Sequence, residues 1–120
     1  LDRRLRDYVH NPKGLDCSYM TVAFDTTELG KKDLIAAIHP SDFTVRPQSV
    51  TEKNSPEYFK IITEFEKISG IGAVLNTSLN IHGKPIVMDP KHIAEEILSS
   101  EAAELNYIYV DGNLFSKLKN

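Results

Sequence analysis

The stretch NSPEYFKIITEFEKISGIGAVLN, residues 54–76, changes its hydrophobic period midway, and that change decides the fold. Asn54 or Ser55 suits a helix N-cap, Pro56 suits the first turn, and Gly70 suits the stop. Tyr58, Ile61, Ile62, Phe65 and Ile68 recur at helical spacing, so the stretch is expected to be a helix with these side chains on one face. Directly after Gly70, GAVLN (residues 72–76) reads as a short buried strand.

Working outward, element types keep alternating. DPKHIAEEILSS (89–100) predicts a second helix with Asp89 as N-cap, Pro90 at its first position, and Ile93, Ile97 and Leu98 inward. Asp89, His92, Glu95 and Glu96 then fall to the cap and a solvated face. In LNYIYVDGNLF (105–115), Leu105, Tyr107 and Tyr109 alternate with Ile108 and Val110 before a turn at DGN. Towards the other end, Leu1, Leu5 and Tyr8 or Val9 mark a short helix that Pro12 and Gly14 stop. YMTVAF (19–24) is aromatic and β-branched enough for a strand, and KKDLIAAIH (31–39) fits either a short helix or a strand. FTVRPQSV (43–50) alternates like an extended segment, although Pro47 confines it to an edge or a bulge. The expected class is α/β (α+β), a twisted sheet with flanking helices. Without repeats, linkers or low-complexity tracts, residues 1–120 read as one domain.

Composition excludes several functions. At 41% hydrophobic and 26% charged residues the chain has the makeup of a globular domain, and a net charge of -3 supplies no basic field for tracking nucleic acid. A lone cysteine, Cys17, reads as a small apolar residue and makes a reducing, cytoplasmic setting the default. No apolar run approaches the roughly 20 residues needed to span a bilayer, and no apolar segment follows the charged opening LDRRLRDYVH. His10, His39, His82 and His92 lack the spacing of a metal site, so no metal is expected on this segment. There is no GxSxG elbow, Walker loop or GxGxxG fingerprint.

Two stretches carry candidate chemistry. A strand through Ala73, Val74 and Leu75 would deliver Asn76, Thr77, Ser78 and Asn80 to a sheet's edge, where open α/β sheets hold ligands. Their amides and hydroxyls can turn to meet a phosphoryl or carbonyl oxygen, while the plainer alternative is an ordinary polar turn. In HPSDFTVRPQ (39–48), Arg46 has a planar fork for phosphate or carboxylate and shares every-other-residue spacing with Thr44 and Gln48. The plainer alternatives for Arg46 are a solvated surface position or an ion pair with a group such as Asp42. His39 is a possible acid or base, or a hydrogen-bonded structural residue.

Taken in order, Tyr19-Met20, HPSDFTVRPQSV (39–50), NSPEYFKIITEFEKISG (54–70), VLNTSLNIHGKPIVMDPKHI (74–93) and LNYIYVDGNLFSK (105–117) resemble the C-terminal region of one family. It is the carbamoyltransferase family that includes nodulation-factor and antibiotic O-carbamoyltransferases. The resemblance covers nearly all of the chain from Tyr19 onward. It implies a two-domain enzyme with a large kinase-like N-terminal domain and a smaller domain resembling the threonylcarbamoyl-adenylate synthases, of which this chain looks like the later part. The family resemblance further implies that carbamoyl phosphate and ATP, with Mg2+ accompanying the nucleotide, give a carbamoyl-adenylate whose carbamoyl group passes to an acceptor hydroxyl. The family's metal site is expected in the N-terminal domain, which is also the expected partner within the same polypeptide.

Carried onto this sequence, the resemblance implies that Arg46, Ser78 and Asn80 hold the anion and carbamoyl group and that Asn76 and Thr77 shape the loop. His39, Asp42 and Gln48 are supporting candidates. Gly83 permits close backbone approach and Pro85 fixes the loop's exit, whereas Lys84 departs from the acidic residue usual between them. The alternatives are a phosphate- or nucleotide-binding module without chemistry, and a packing or interaction domain.

Overall fold

A computed structural model describes residues 1–98 and 105–116, and these form two compact units, Leu1–Leu75 and Asn76–Asn120. The sequence marks no boundary at residue 75.

In the first unit, a single 3-10 turn at Asp2–Arg4 leads into α1 (Leu5–Tyr8), where the opening helix is expected. β1 (Phe24–Asp25) pairs antiparallel with β2 (Thr44–Val45), Phe24 opposite Val45 and Asp25 opposite Thr44. The strand expected over residues 19–24 therefore shrinks to its end, because only there does the backbone meet a partner. Between the strands lies α2 (Glu28–Asp33), which starts ahead of the KKDLIAAIH stretch because Thr27 caps it, its hydroxyl accepting from the Gly30 N–H. Tyr8, Val9, Cys17 and Phe24 form the core, flanked by Leu5, Val22, Leu34, Val45, Ile71 and Ala73. Cys17 thus packs as the small apolar residue its isolation predicts, and burial pushes its thiol pKa up.

The long helix stands where its punctuation places it. α3 runs Pro56–Ser69, with Ser55 at the N-cap position, Pro56 in the first turn and a left-handed Gly70 at φ 77° as its stop. Asn54 serves the turn before it, exchanging hydrogen bonds with Thr51. Its apolar face is largely open: of the five side chains that share it only Ile62 is buried, and Tyr58, Ile61, Phe65 and Ile68 face solvent. One expectation next to α3 fails, for the segment expected as a strand over residues 72–76 is not one, and Val74 and Leu75 are exposed. Cover for a helix face and a partner for a strand each require a neighbour that the local sequence does not encode.

Charged groups tie the opening turn to α3. Arg3 Nη1 donates to Glu66 Oε1 at 3.1 Å, Arg3 Nη2 bonds Glu66 Oε2, and Arg4 Nη1 donates to Oε1 at 2.5 Å. Alongside, the Leu1 nitrogen donates to the Gly72 carbonyl at 2.7 Å, and the Gly72 N–H donates to Tyr8 Oη at 3.0 Å in a buried position. Hydrogen bonding from Arg3, with Arg4 beside it, brings the Glu66 carboxyl from 4.5 to about 2. The unfolded chain therefore takes up this proton first as pH falls, so the stabilisation is complete above about 4.5 and is lost towards 2. A Glu66→Gln variant is expected to show a shallower loss of stability than the parent over that window in urea titrations at stepped pH. Identical slopes in the two proteins would refute the assignment.

The second unit holds the predicted second helix and the hairpin. α4 (Pro90–His92) begins as expected, Asp89 Oδ1 accepting from the His92 N–H at 2.9 Å, and continues as a π-helical stretch over Ile93–Leu98. Ile97 is fully enclosed, and Ile93 and Leu98 are partly so. Residues 99–100 of the expected helix, and the side chains of Glu95 and Glu96, lie outside the described residues. β3 (Tyr107–Val110) and β4 (Asn113–Ser116) pair antiparallel around Asp111 and Gly112, both at positive φ (46° and 80°) as a two-residue hairpin turn requires. The mixed helix and strand content agrees with the α+β class, the strands forming two-stranded pairs. No helix among the described residues is long and apolar enough to cross a membrane.

Candidate functional site

Arg46 lies just beyond β2, because Pro47 has no N–H with which to extend the ladder. The chain is fixed on both sides of it. Val45 packs against the core, and the N–H of buried Ser49 donates to the Cys17 carbonyl at 2.6 Å. Gln48 Nε2 donates to the Ser18 carbonyl at 3.1 Å, pinning the bow that residues 46–48 make. Thr44, Arg46 and Gln48 therefore do not form the continuous strand row expected of their spacing, the ordered pairing ending at Val45.

Asp42 is occupied elsewhere. Its Oδ1 accepts from the Thr44 N–H at 3.0 Å and the Thr44 hydroxyl at 2.8 Å, and lies 3.4 Å from His39 Nδ1. The Thr44 backbone bond, with the Thr44 hydroxyl, holds the Asp42 carboxyl below its ordinary range. His39 Nδ1 also lies 3.0 Å from the Ser41 hydroxyl, and its backbone closes this loop with Phe43 and Thr44. The alternative that Asp42 neutralises Arg46 is therefore not realised. Among the described residues Arg46 has no ion-pair partner, and it is exposed. His39 and Asp42 act on the loop's own backbone, placing them as supports for the approach to β2.

The polar cluster of the second unit is organised as a turn. Ser78 Oγ donates to Asn80 Oδ1 at 2.6 Å, and Asn80 Nδ2 donates to the carbonyls of Ile81 and Lys84 at 3.1 and 3.0 Å. The Lys84 N–H closes onto the Ile81 carbonyl at 2.8 Å, with Gly83 at φ 80°, a value that suits glycine at this corner. The Val87 N–H returns to the Leu79 carbonyl at 2.9 Å. Asn80 thus spends its amide donors on the loop itself, and the Ser78 oxygen and exposed Thr77 remain the groups facing water. Lys84 takes part through its backbone, so its departure from the acidic residue leaves this turn closed.

One feature escaped sequence reasoning: an open hollow of about 620 Å³ in the first unit, lined by Arg6, His10, Asn11 and Lys13 among others. Their i, i+4, i+5 and i+7 spacing was the available signal, but the proline and glycine that stop the helix there obscure it. The donor sets suit oxyanions. Among the described residues no three His, Cys, Asp or Glu side chains gather to hold a metal ion.

Over residues 1–117 the chain matches the family described as Carbamoyltransferase C-terminus. It is 34% identical over 113 residues to the uncharacterised protein MJ1051 of Methanocaldococcus jannaschii, a match covering 94% of this chain and 21% of that protein. Nodulation protein NolO of Bradyrhizobium diazoefficiens is 32% identical over 71 residues, 59% of this chain and 13% of that protein. Nodulation protein U of Rhizobium tropici is 28% identical over 86 residues, 72% of this chain and 14% of that protein. The chain spans about a fifth or less of the length of these relatives.

Proposed function

Since this chain belongs to the carbamoyltransferase C-terminus family, we propose that it supplies oxyanion-binding groups to an O-carbamoyltransferase that uses carbamoyl phosphate and ATP. In this reading carbamoyl phosphate, water and ATP give a carbamoyl-adenylate with release of phosphate and pyrophosphate, and its carbamoyl group passes to an acceptor hydroxyl. In the transfer the acceptor oxygen bonds to the carbamoyl carbon and gives up its proton to solvent, while the bond from that carbon to the phosphate oxygen breaks and leaves its electron pair on the departing AMP. A guanidinium beside that oxygen stabilises the transition state more than the ground state, because the charge is still growing. No nucleophilic side chain is required.

The observation that carries this reading is Arg46, an exposed guanidinium without an ion-pair partner among the described residues, on a bow anchored at both ends. A planar guanidinium fork matches the two-bond geometry of a phosphate. Ser78 and Thr77 supply hydroxyls, and Asn76, Asn80 and Gly83 shape the turn that presents them. Mg2+ accompanying ATP is then a partner of the nucleotide's own phosphates.

Calorimetric titration of carbamoyl phosphate and of ATP into the protein tests the proposal. Saturable binding is expected, competed by inorganic phosphate and weakened by salt. If neither ligand binds this chain or the full polypeptide containing it, the proposal is wrong.

A further inference from the structure

We infer that the exposed face of α3 and the apolar residues 73–75 form the seat for β-strands contributed by the part of the same polypeptide outside this region. The inference rests on the family reading above and names where the remainder of the enzyme joins. Tyr58, Ile61, Phe65 and Ile68 are 63%, 57%, 41% and 88% exposed, yet they lie on one stripe of the helix at helical spacing. Scattered apolar side chains on a surface are ordinary; a continuous row of four large ones marks an unpartnered face.

The chemistry of the occupant follows from what comes next in the chain. Residues 73–75 are apolar and lie outside any helix or strand, and among the described residues their backbone N–H and C=O groups have no hydrogen-bond partner. Such a row of free donors and acceptors is completed by another strand. Helix faces are commonly covered by sheets, and the sheet present in this unit is too small to do so. α3, at 14 residues, is about 21 Å long, whereas the 2-residue strands β1 and β2 each reach only about 7 Å.

Linkage decides between occupants. This region makes up 16% and 21% of two relatives, so most of each polypeptide lies outside it, tethered at high effective concentration. A strand supplied by that tethered remainder has the advantage over a second copy, which must be recruited from solution.

Amide hydrogen exchange on the full polypeptide and on the 120-residue chain tests this. In the chain alone, the amides of residues 73–75 are expected to exchange at nearly free rates, and in the full polypeptide at least roughly tenfold more slowly. A double variant, Ile61→Glu with Ile68→Glu, is expected to restore fast exchange in the full polypeptide. The same variant leaves the circular dichroism of the chain alone unchanged, because both side chains already meet water. Free exchange in both forms, or slow exchange that survives the double variant, overturns the inference. Protection in the chain alone that rises with concentration and a doubled mass also overturns it, in favour of a second copy. The proposed function fails separately, by absence of carbamoyl phosphate binding while residues 73–75 remain protected.

Discussion

Gly30→Ala is expected to lower the melting temperature of this protein by roughly 8–16 °C, equivalent to a net loss of about 2 kcal/mol in a unit of this size. A Cβ built at position 30 would stand 2.2 Å from the Tyr8 carbonyl oxygen and 3.2 Å from Thr26 Cβ. The obstacle is backbone, so no rotamer change relieves it. Helix propensity pulls the other way, since alanine exceeds glycine by about 1 kcal/mol inside a helix. Overpacking typically costs 1–3 kcal/mol, and here more is at stake. The Thr27 N–H donates to the same Tyr8 carbonyl at 2.9 Å, and the Thr27 hydroxyl donates to the Asp7 carbonyl at 2.5 Å. Parting α1 from α2 to admit a methyl group stretches both bonds, so steric cost outweighs propensity. Thermal melts followed by circular dichroism give the answer, and an alanine variant that melts at or above the parent contradicts this packing.

Arg46→Ala is expected to weaken carbamoyl phosphate binding roughly ten- to hundredfold while leaving the melting temperature unchanged. Hydrogen bonds from a charged donor contribute about 1.5–3 kcal/mol, which sets that range at a tenfold change per 1.4 kcal/mol. Stability should hold because the side chain is exposed and has no ion-pair partner among the described residues, and surface substitutions of this kind stay within about 0.5 kcal/mol. Arg46→Lys separates charge from shape: it preserves the cation but not the planar fork, so its affinity should fall between the two. Equal affinities for the parent and the alanine variant in calorimetric titration would remove Arg46 from the site.

What could be read from the letters was whatever local chemistry determines. Pro56 and Gly70 bracket α3 because one lacks an N–H where none is needed and the other adopts φ 77° without strain. Asp111 and Gly112 reverse the hairpin for the related reason that both tolerate positive φ. Asp89 caps α4 through its own side chain. Illegible were the features set by partners distant in sequence. The apolar row of α3 is periodic enough to predict an apolar face, but periodicity does not say whether this chain holds the covering layer. Residues 72–76 have strand composition without a strand's partner. At the candidate site, the type of Arg46 was legible and its freedom from Asp42 was not, because Asp42 prefers the Thr44 N–H two residues on, a short-range competitor that composition does not rank. The Asn80 side chain shows the same preference for its own loop.

The bonds joining the opening turn to the end of α3 also fix an order of events in time. The Gly72 N–H reaches a tyrosine 64 positions earlier, so during synthesis the first helix must wait for that many residues, roughly 3–13 seconds at ordinary elongation rates. Closing so long a loop costs entropy before any contact repays it. The link between the opening turn and the end of α3 is therefore late to form, and a ribosome that stalls before residue 72 leaves the Tyr8 hydroxyl without its Gly72 donor.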